Sequence, residues 1–298
     1  VENKSYEIAR KCFDYVISLG SSQPLYFEGQ KSLLNTRFIE ITTNRSYTSV
    51  EIAATIQDYN DALNRLGKSR FTFQIILELA HIKAFYGEQV LQSIELLNNL
   101  LETPGLTDMQ RAQVKMKLAD VQVLGGDIWE ASLLYMQVDN DFKFEQIGNE
   151  AKYKNARVFY FDGEFDFAQG QLNVLKESTS KMIANDALQL SVMITDNYGL
   201  DSNYQAMLWF ATAERLIEQH RYDSAFVLFD SIQINFPMHS LADEILFRKG
   251  KAMEQQGKWA EAREYYTDLL KFHADDILGD DALFRLADME ETQFQNKE

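Results

Sequence analysis

Along most of this chain apolar residues recur at i, i+3, i+4 and i+7, the spacing of a single buried stripe on an α-helix, and short polar turns interrupt the stripes. The clearest stretch, 205–274, states one pattern twice. Trp209, Ala213, Tyr222, Ala225, Phe229 and Pro237 are followed 37 residues later by Leu246, Gly250, Trp259, Ala262, Tyr266 and Ala274. Each half reads as two helices joined by a turn, Gln219-His220-Arg221 in one and Gln256-Gly257-Lys258 in the other. A small residue at Ala213 or Gly250 lets the first helix approach the second, and Ala225 or Ala262 receives it. Phe229 or Tyr266, four residues on, fills the space toward the next hairpin. A coiled coil or plain bundle needs the stripe but not the fixed offset, so the pattern predicts stacked helical hairpins.

The same phase extends toward the N-terminus. Helices are expected near 71–86 and 88–102, 108–124 and 127–140, and 148–161 and 164–178, with Ser93, Ala131 and Ala168 as the receiving residues. Leu97, Tyr135 and Leu172 fill behind them, and Pro104-Gly105 ends the first of these units. Residues 23–42 and 48–66 predict a less regular hairpin, turning at 43–46 and closed by Gly67. Tyr6 to Ser18 reads as a second helix without its first, with Ala9 and Phe13 in the small and aromatic places. Between Ala168 and Ala225 the spacing exceeds one period by about 20 residues. An amphipathic stretch at 180–195 suits one additional helix, followed by a breaker-rich run at 196–203; a structureless loop is the alternative. This divides the chain into an N-terminal array (1–179), an extra helix and linker (180–203) and a C-terminal array (204–298). At the far end Leu246-Phe247-Arg248 recurs as Leu283-Phe284-Arg285 and Gly250 as Ala287, after which no second helix follows. Both ends therefore predict a piece of a longer array.

The bulky–small–aromatic–Ala–aromatic–Pro order of Trp209, Ala213, Tyr222, Ala225, Phe229 and Pro237 resembles the tetratricopeptide repeat. The next unit departs from it with Ala274 in the Pro place, and the period of 37 exceeds the commonest 34. The resemblance implies an all-α, right-handed superhelix (an α-solenoid) whose first helices line a concave face that binds a protein or peptide. Carried over position by position, it implies partner contacts at Met116, Tyr153, Phe210, Phe247 and Phe284, at Asp120, Arg157, Glu214, Lys251 and Asp288, and at Tyr160, Ile217, Glu254 and Glu291. Such a groove has an aromatic floor and net acidic walls, suited to apolar anchors and basic residues. Packing between hairpins is the competing role for the aromatic ladder. Glu214 and Asp288 stand where a clamp for a C-terminal carboxylate needs basic side chains. Residues 236–243 also look like the longer repeats of bacterial cell-envelope proteins. The segments beginning at Gly126 and Ile183 look like those of long tetratricopeptide proteins of Bacteroidota.

Composition narrows the picture. A net charge of −16 leaves no cationic stripe to neutralise phosphates, which argues against nucleic acid and anionic lipid as partners. No run of 18 apolar residues is present to span a membrane, and no signal-peptide pattern is legible at Val1. Cys12, the single cysteine, falls beside Ala9, Phe13 and Val16 and is expected to be a buried structural thiol. His81, His220, His239 and His273 are scattered, without a metal-ligand spacing, and read as solvated surface histidines. The run from Asp139 to Glu150 fails as a calcium loop, since Lys143 and Phe144 replace a ligand and the turn glycine. Asp280 and Asp281 suit the start of a helix. No enzyme, cofactor or metal is expected. The expected role is a scaffold holding a protein or peptide partner, in the periplasm or an envelope assembly, with the cytoplasm as the alternative setting. End-to-end self-association and, less in keeping with the short turns, glycan binding are the competing functions.

Overall fold

The computed structural model describes residues 5–43, 47–176, 181–199 and 204–294. It contains fifteen α-helices and one π-helical turn, with no strand among the described residues. The expected turn residues at 44–46, residue 180 and the last part of the breaker run (200–203) lie outside them. Two compact units are present, 1–141 and 142–298.

The first unit holds α1 (Tyr6–Ser18), α2 (Tyr26–Thr43), α3 (Ser49–Leu66), α4 (Phe73–Phe85), α5 (Val90–Leu101), α6 (Asp108–Gly125) and α7 (Ile128–Asp141). The second holds α8 (Gln146–Asp162), α9 (Phe165–Leu175), α10 (Lys181–Ile194), the π-turn (Thr195–Gly199), α11 (Tyr204–Glu218), α12 (Tyr222–Asn235), α13 (Ala242–Gln255), α14 (Trp259–Phe272) and α15 (Gly279–Thr292). Five regular hairpins follow the predicted pairs: α4–α5, α6–α7, α8–α9, α11–α12 and α13–α14. Each unit is thus an all-α array built on tetratricopeptide-like hairpins.

Interlocking of small and large residues is visible at each hairpin. Ser93, Ala131, Ala168, Ala225 and Ala262 are fully buried. At Ser93 the hydroxyl donates to the Ala80 carbonyl (2.7 Å), so the one polar receiving residue is satisfied by the helix it receives. Gly250 shows why the first helix needs a small residue: a Cβ there would sit 2.7 Å from the Tyr266 ring. Tyrosines then tie hairpins internally, Tyr135 donating to Asp120 (2.7 Å) and Tyr266 to Glu254 (2.6 Å). In the irregular N-terminal part Tyr59 donates to Glu78 (2.8 Å), which also accepts from Asn35 (2.9 Å).

The turns repeat as faithfully as the helices. Glu88, Gly126, Gly163, His220 and Gly257 all have positive φ, between 54° and 96°, at corresponding places of the five hairpins. Two of them carry a Cβ that this backbone region disfavours. Because Glu88 is exposed, Glu88→Gly should raise stability by about 0.5–1 kcal/mol. Urea unfolding tests this, and a loss of stability would mean that Glu88 makes a contact worth more than the strain.

Several expectations are corrected. The two compact units meet in sequence at 141/142, and α10, expected as an extra helix, packs on α9 and α8, the hairpin before it. Helix α2 packs more closely on α1 than on α3. Tyr6 bonds Thr43 (3.0 Å), Arg10 pairs with Glu40, and Val16 lies 3.1 Å from where a Cβ on Gly29 would be. The breaker run does not stop the helix at 196. Residues 195–199 continue it as a π-turn, where Asn197 is buried and its amide donates to the Met193 carbonyl (3.0 Å) and to Glu244 (2.8 Å). Tyr198 packs on Phe165 there, ring centres 5.0 Å apart. Cys12 is exposed: no residue of α1 is buried, and its packing on α2 only half-covers Tyr6, Ala9, Phe13 and Val16. His239 is buried in the turn before α13, with its Nδ1 receiving the Leu241 N–H (3.3 Å).

Candidate functional site

In the second unit the first helices α8, α11, α13 and α15 are joined, each to the next, by charged side chains. Arg157 on α8 pairs with Glu218 on α11 (2.7 Å), and Tyr160 on α8 donates to Glu214 on α11 (2.5 Å). Arg248 on α13 pairs with that same Glu214, and Arg285 on α15 pairs with Glu254 on α13 (3.4 Å). Glu254 also receives the Tyr266 hydroxyl. A ladder of three arginine–carboxylate bridges, two of them braced by a tyrosine, thus runs across four helices. Charge-assisted bonds of this kind are the stronger class when partly desolvated.

Electrostatics within the ladder agree with its geometry. Burial works against the charges on Arg157 and Arg248, but Glu218 and Glu214 outweigh it and hold both guanidiniums above the ordinary arginine value. Burial first, and then Glu214, push the Tyr160 hydroxyl well above the usual phenol range. Tyr153 is raised by burial, with Asp186 and Glu214 adding to it against Arg157 and Arg248. Lys251 is lowered, by burial first and then by the like charges of Arg248 and Arg285.

The nine principal predicted contact residues separate into two sets. Met116 (in the first unit), Tyr160, Phe210 and Phe247 are buried. Phe210 packs on Phe229 with ring centres 5.5 Å apart, and Phe247 on Tyr266 at 5.7 Å. These aromatic side chains fill the space between the two helices of their own hairpins, so the expected aromatic floor lies inside the array at those places. Tyr153, Arg157, Glu214 and Lys251 are half-buried, and Phe284 is 70% exposed. The bridging partners Glu218, Arg248 and Arg285 lay outside the sequence-derived set. The recurrence of Arg248 as Arg285 one period later was the signal available for two of them. Among the described residues no group of three His, Cys, Asp or Glu side chains could hold a metal ion, and no helix is long and apolar enough to cross a membrane.

The fold is an all-α repeat of tetratricopeptide-like helical hairpins. No family model matches the sequence, and no curated protein is similar to it at a significant level. Among solved structures, the chain is similar to the crystal structure of a tetratricopeptide repeat protein from Parabacteroides merdae, with 12% identity and a TM-score of 0.47 over 96% of this chain and 94% of that one.

Proposed function

We propose that the chain holds a protein partner along the first-helix face of the second unit. The supporting observation is the bridged row itself: half-buried Tyr153, Arg157, Glu214 and Lys251, with exposed Phe284, presented by four consecutive first helices. Half-buried aromatic and arginine side chains on rigid elements are what protein interfaces favour, because little side-chain freedom remains to be lost on binding. A photo-cross-linking residue placed at Tyr153 or Phe284 should form adducts with the partner in native lysate. The same residue at Val227, exposed on second helix α12, should not. Adducts from Val227 alone, or equally from all three, would move the site off this face. The envelope setting rests on the likeness of residues 236–243, and fractionation of the tagged native protein decides between envelope and cytoplasm.

A second reading, self-association, draws on α15. Leu283 and Phe284 are 56% and 70% exposed, whereas Phe247 one period earlier is 6% exposed beneath Tyr266. Sedimentation velocity over a concentration series distinguishes a self-associating chain from a monomer.

A further inference from the structure

The groove predicted from sequence is net acidic, but the carboxylates nearest its centre, on α11 and α13, are already engaged, while Asp288 and Glu291 on α15 are exposed. Glu214 is held by Arg248 and Tyr160, Glu254 by Arg285 and Tyr266, and Glu218 by Arg157. One cation on the same face is left over. Lys251 lies half-buried on α13, one turn from Arg248, and no hydrogen bond or ion pair to its ammonium occurs among the described residues. Its Nζ sits 5.8 Å from the centre of the Phe247 ring, whose face attracts a cation but leaves the ammonium protons unbonded. The charges acting on it are two arginines, Arg248 and Arg285, and the two carboxylates already held by them. Arg157, Arg248 and Arg285 are thus each matched by a carboxylate of the ladder, whereas Lys251 in the same row has, among the described residues, only the Phe247 ring beside it.

We infer that Lys251 is an anion-receiving point on this face and that the partner presents an acidic segment to it, an Asp or Glu carboxylate completing the bonds the ammonium lacks. The inference rests on the first-helix face being the docking surface. It reverses the polarity expected from sequence, where the acidic walls pointed to a basic partner. A half-buried ammonium with no counter-ion gains more from a carboxylate than an exposed lysine does, because its water has already been partly removed.

The test uses the whole chain and four fluorescein-labelled probes, followed by anisotropy at low and at moderate salt: hexaglutamate with an amidated C-terminus, hexaglutamate with a free one, hexaglutamine and hexalysine. Both hexaglutamates should bind, with affinity falling as salt rises. Lys251→Met, which keeps the stem on Phe247, should bind about tenfold more weakly, the size of one charge-assisted contact. Lys251→Arg should restore binding. Binding of the free-terminus probe alone would show a chain terminus as the ligand and overturn the side-chain assignment. Equal binding by wild type and Lys251→Met, or no binding by either hexaglutamate, overturns the inference. Binding of hexalysine alone, weakened by Glu218→Lys, would also overturn it while leaving the docking face intact; failure of the cross-linking at Tyr153 and Phe284 would remove the face itself.

Discussion

Phe210→Ala should destabilise the second unit by about 3–5 kcal/mol, whereas Phe284→Ala should change stability by less than about 0.5 kcal/mol. Both phenylalanines hold the same place in the repeat, two periods apart. The difference comes from what covers them. Phe210 is fully buried against Phe229, so truncation removes a ring's worth of transfer free energy and leaves a cavity walled by two helices that cannot close on it. Phe284 has 70% of its surface in water already and little burial to lose. Urea unfolding followed by circular dichroism measures both. Equal losses would show that the α15 face is covered in solution, which would favour self-association; near-zero losses at both would mean that α11 and α12 do not pack as described.

The second large effect is on pH dependence. Burial, and then the adjoining Asp243 carboxylate, push Glu244 up to about 8, with the Asn197 amide working in the opposite direction. Its value in the folded chain is therefore above its unfolded value near 4.5. The folded state keeps a proton that the unfolded state has released, so stability is full below about pH 4.5, falls as pH rises through the window up to 8, and then levels off. The cost accumulated by pH 8 is on the order of 2–4 kcal/mol. Glu244→Gln keeps an oxygen to accept from Asn197 and has no proton to lose. It should flatten the stability profile between pH 5 and 8 and raise stability most at pH 8. An unchanged slope across that window would mean that Glu244 ionises there without penalty.

How much of this was legible in the sequence follows from which forces act locally. The hairpins were legible because small–small–large interlocking is a contact between residues a fixed distance apart in the chain, as at Gly250, Ala262 and Tyr266. The π-turn was not. Asn197 and Gly199 look like breakers by local propensity, and the partners that hold Asn197 in helix, Glu244 and Ser240, lie more than 40 residues away. The candidate face was half legible. Position in the repeat placed Tyr153, Arg157, Glu214 and Lys251 on one row of helices, but counting positions cannot tell that Phe210 and Phe247 turn inward. Nor can it tell that Glu214 and Glu254 are consumed by arginines on the next helix. Cys12 was misjudged for a related reason: an apolar stripe specifies burial only when a neighbour exists to cover it.

The close packing relations of both units join helices that follow one another in the chain, and the left-handed residues at 88, 126, 163, 220 and 257 set each reversal locally. Folding then requires no distant loop closure before native contacts begin to accumulate. Within each unit a newly made chain could form its hairpins in the order in which they are synthesised, so that little apolar surface waits for segments not yet made.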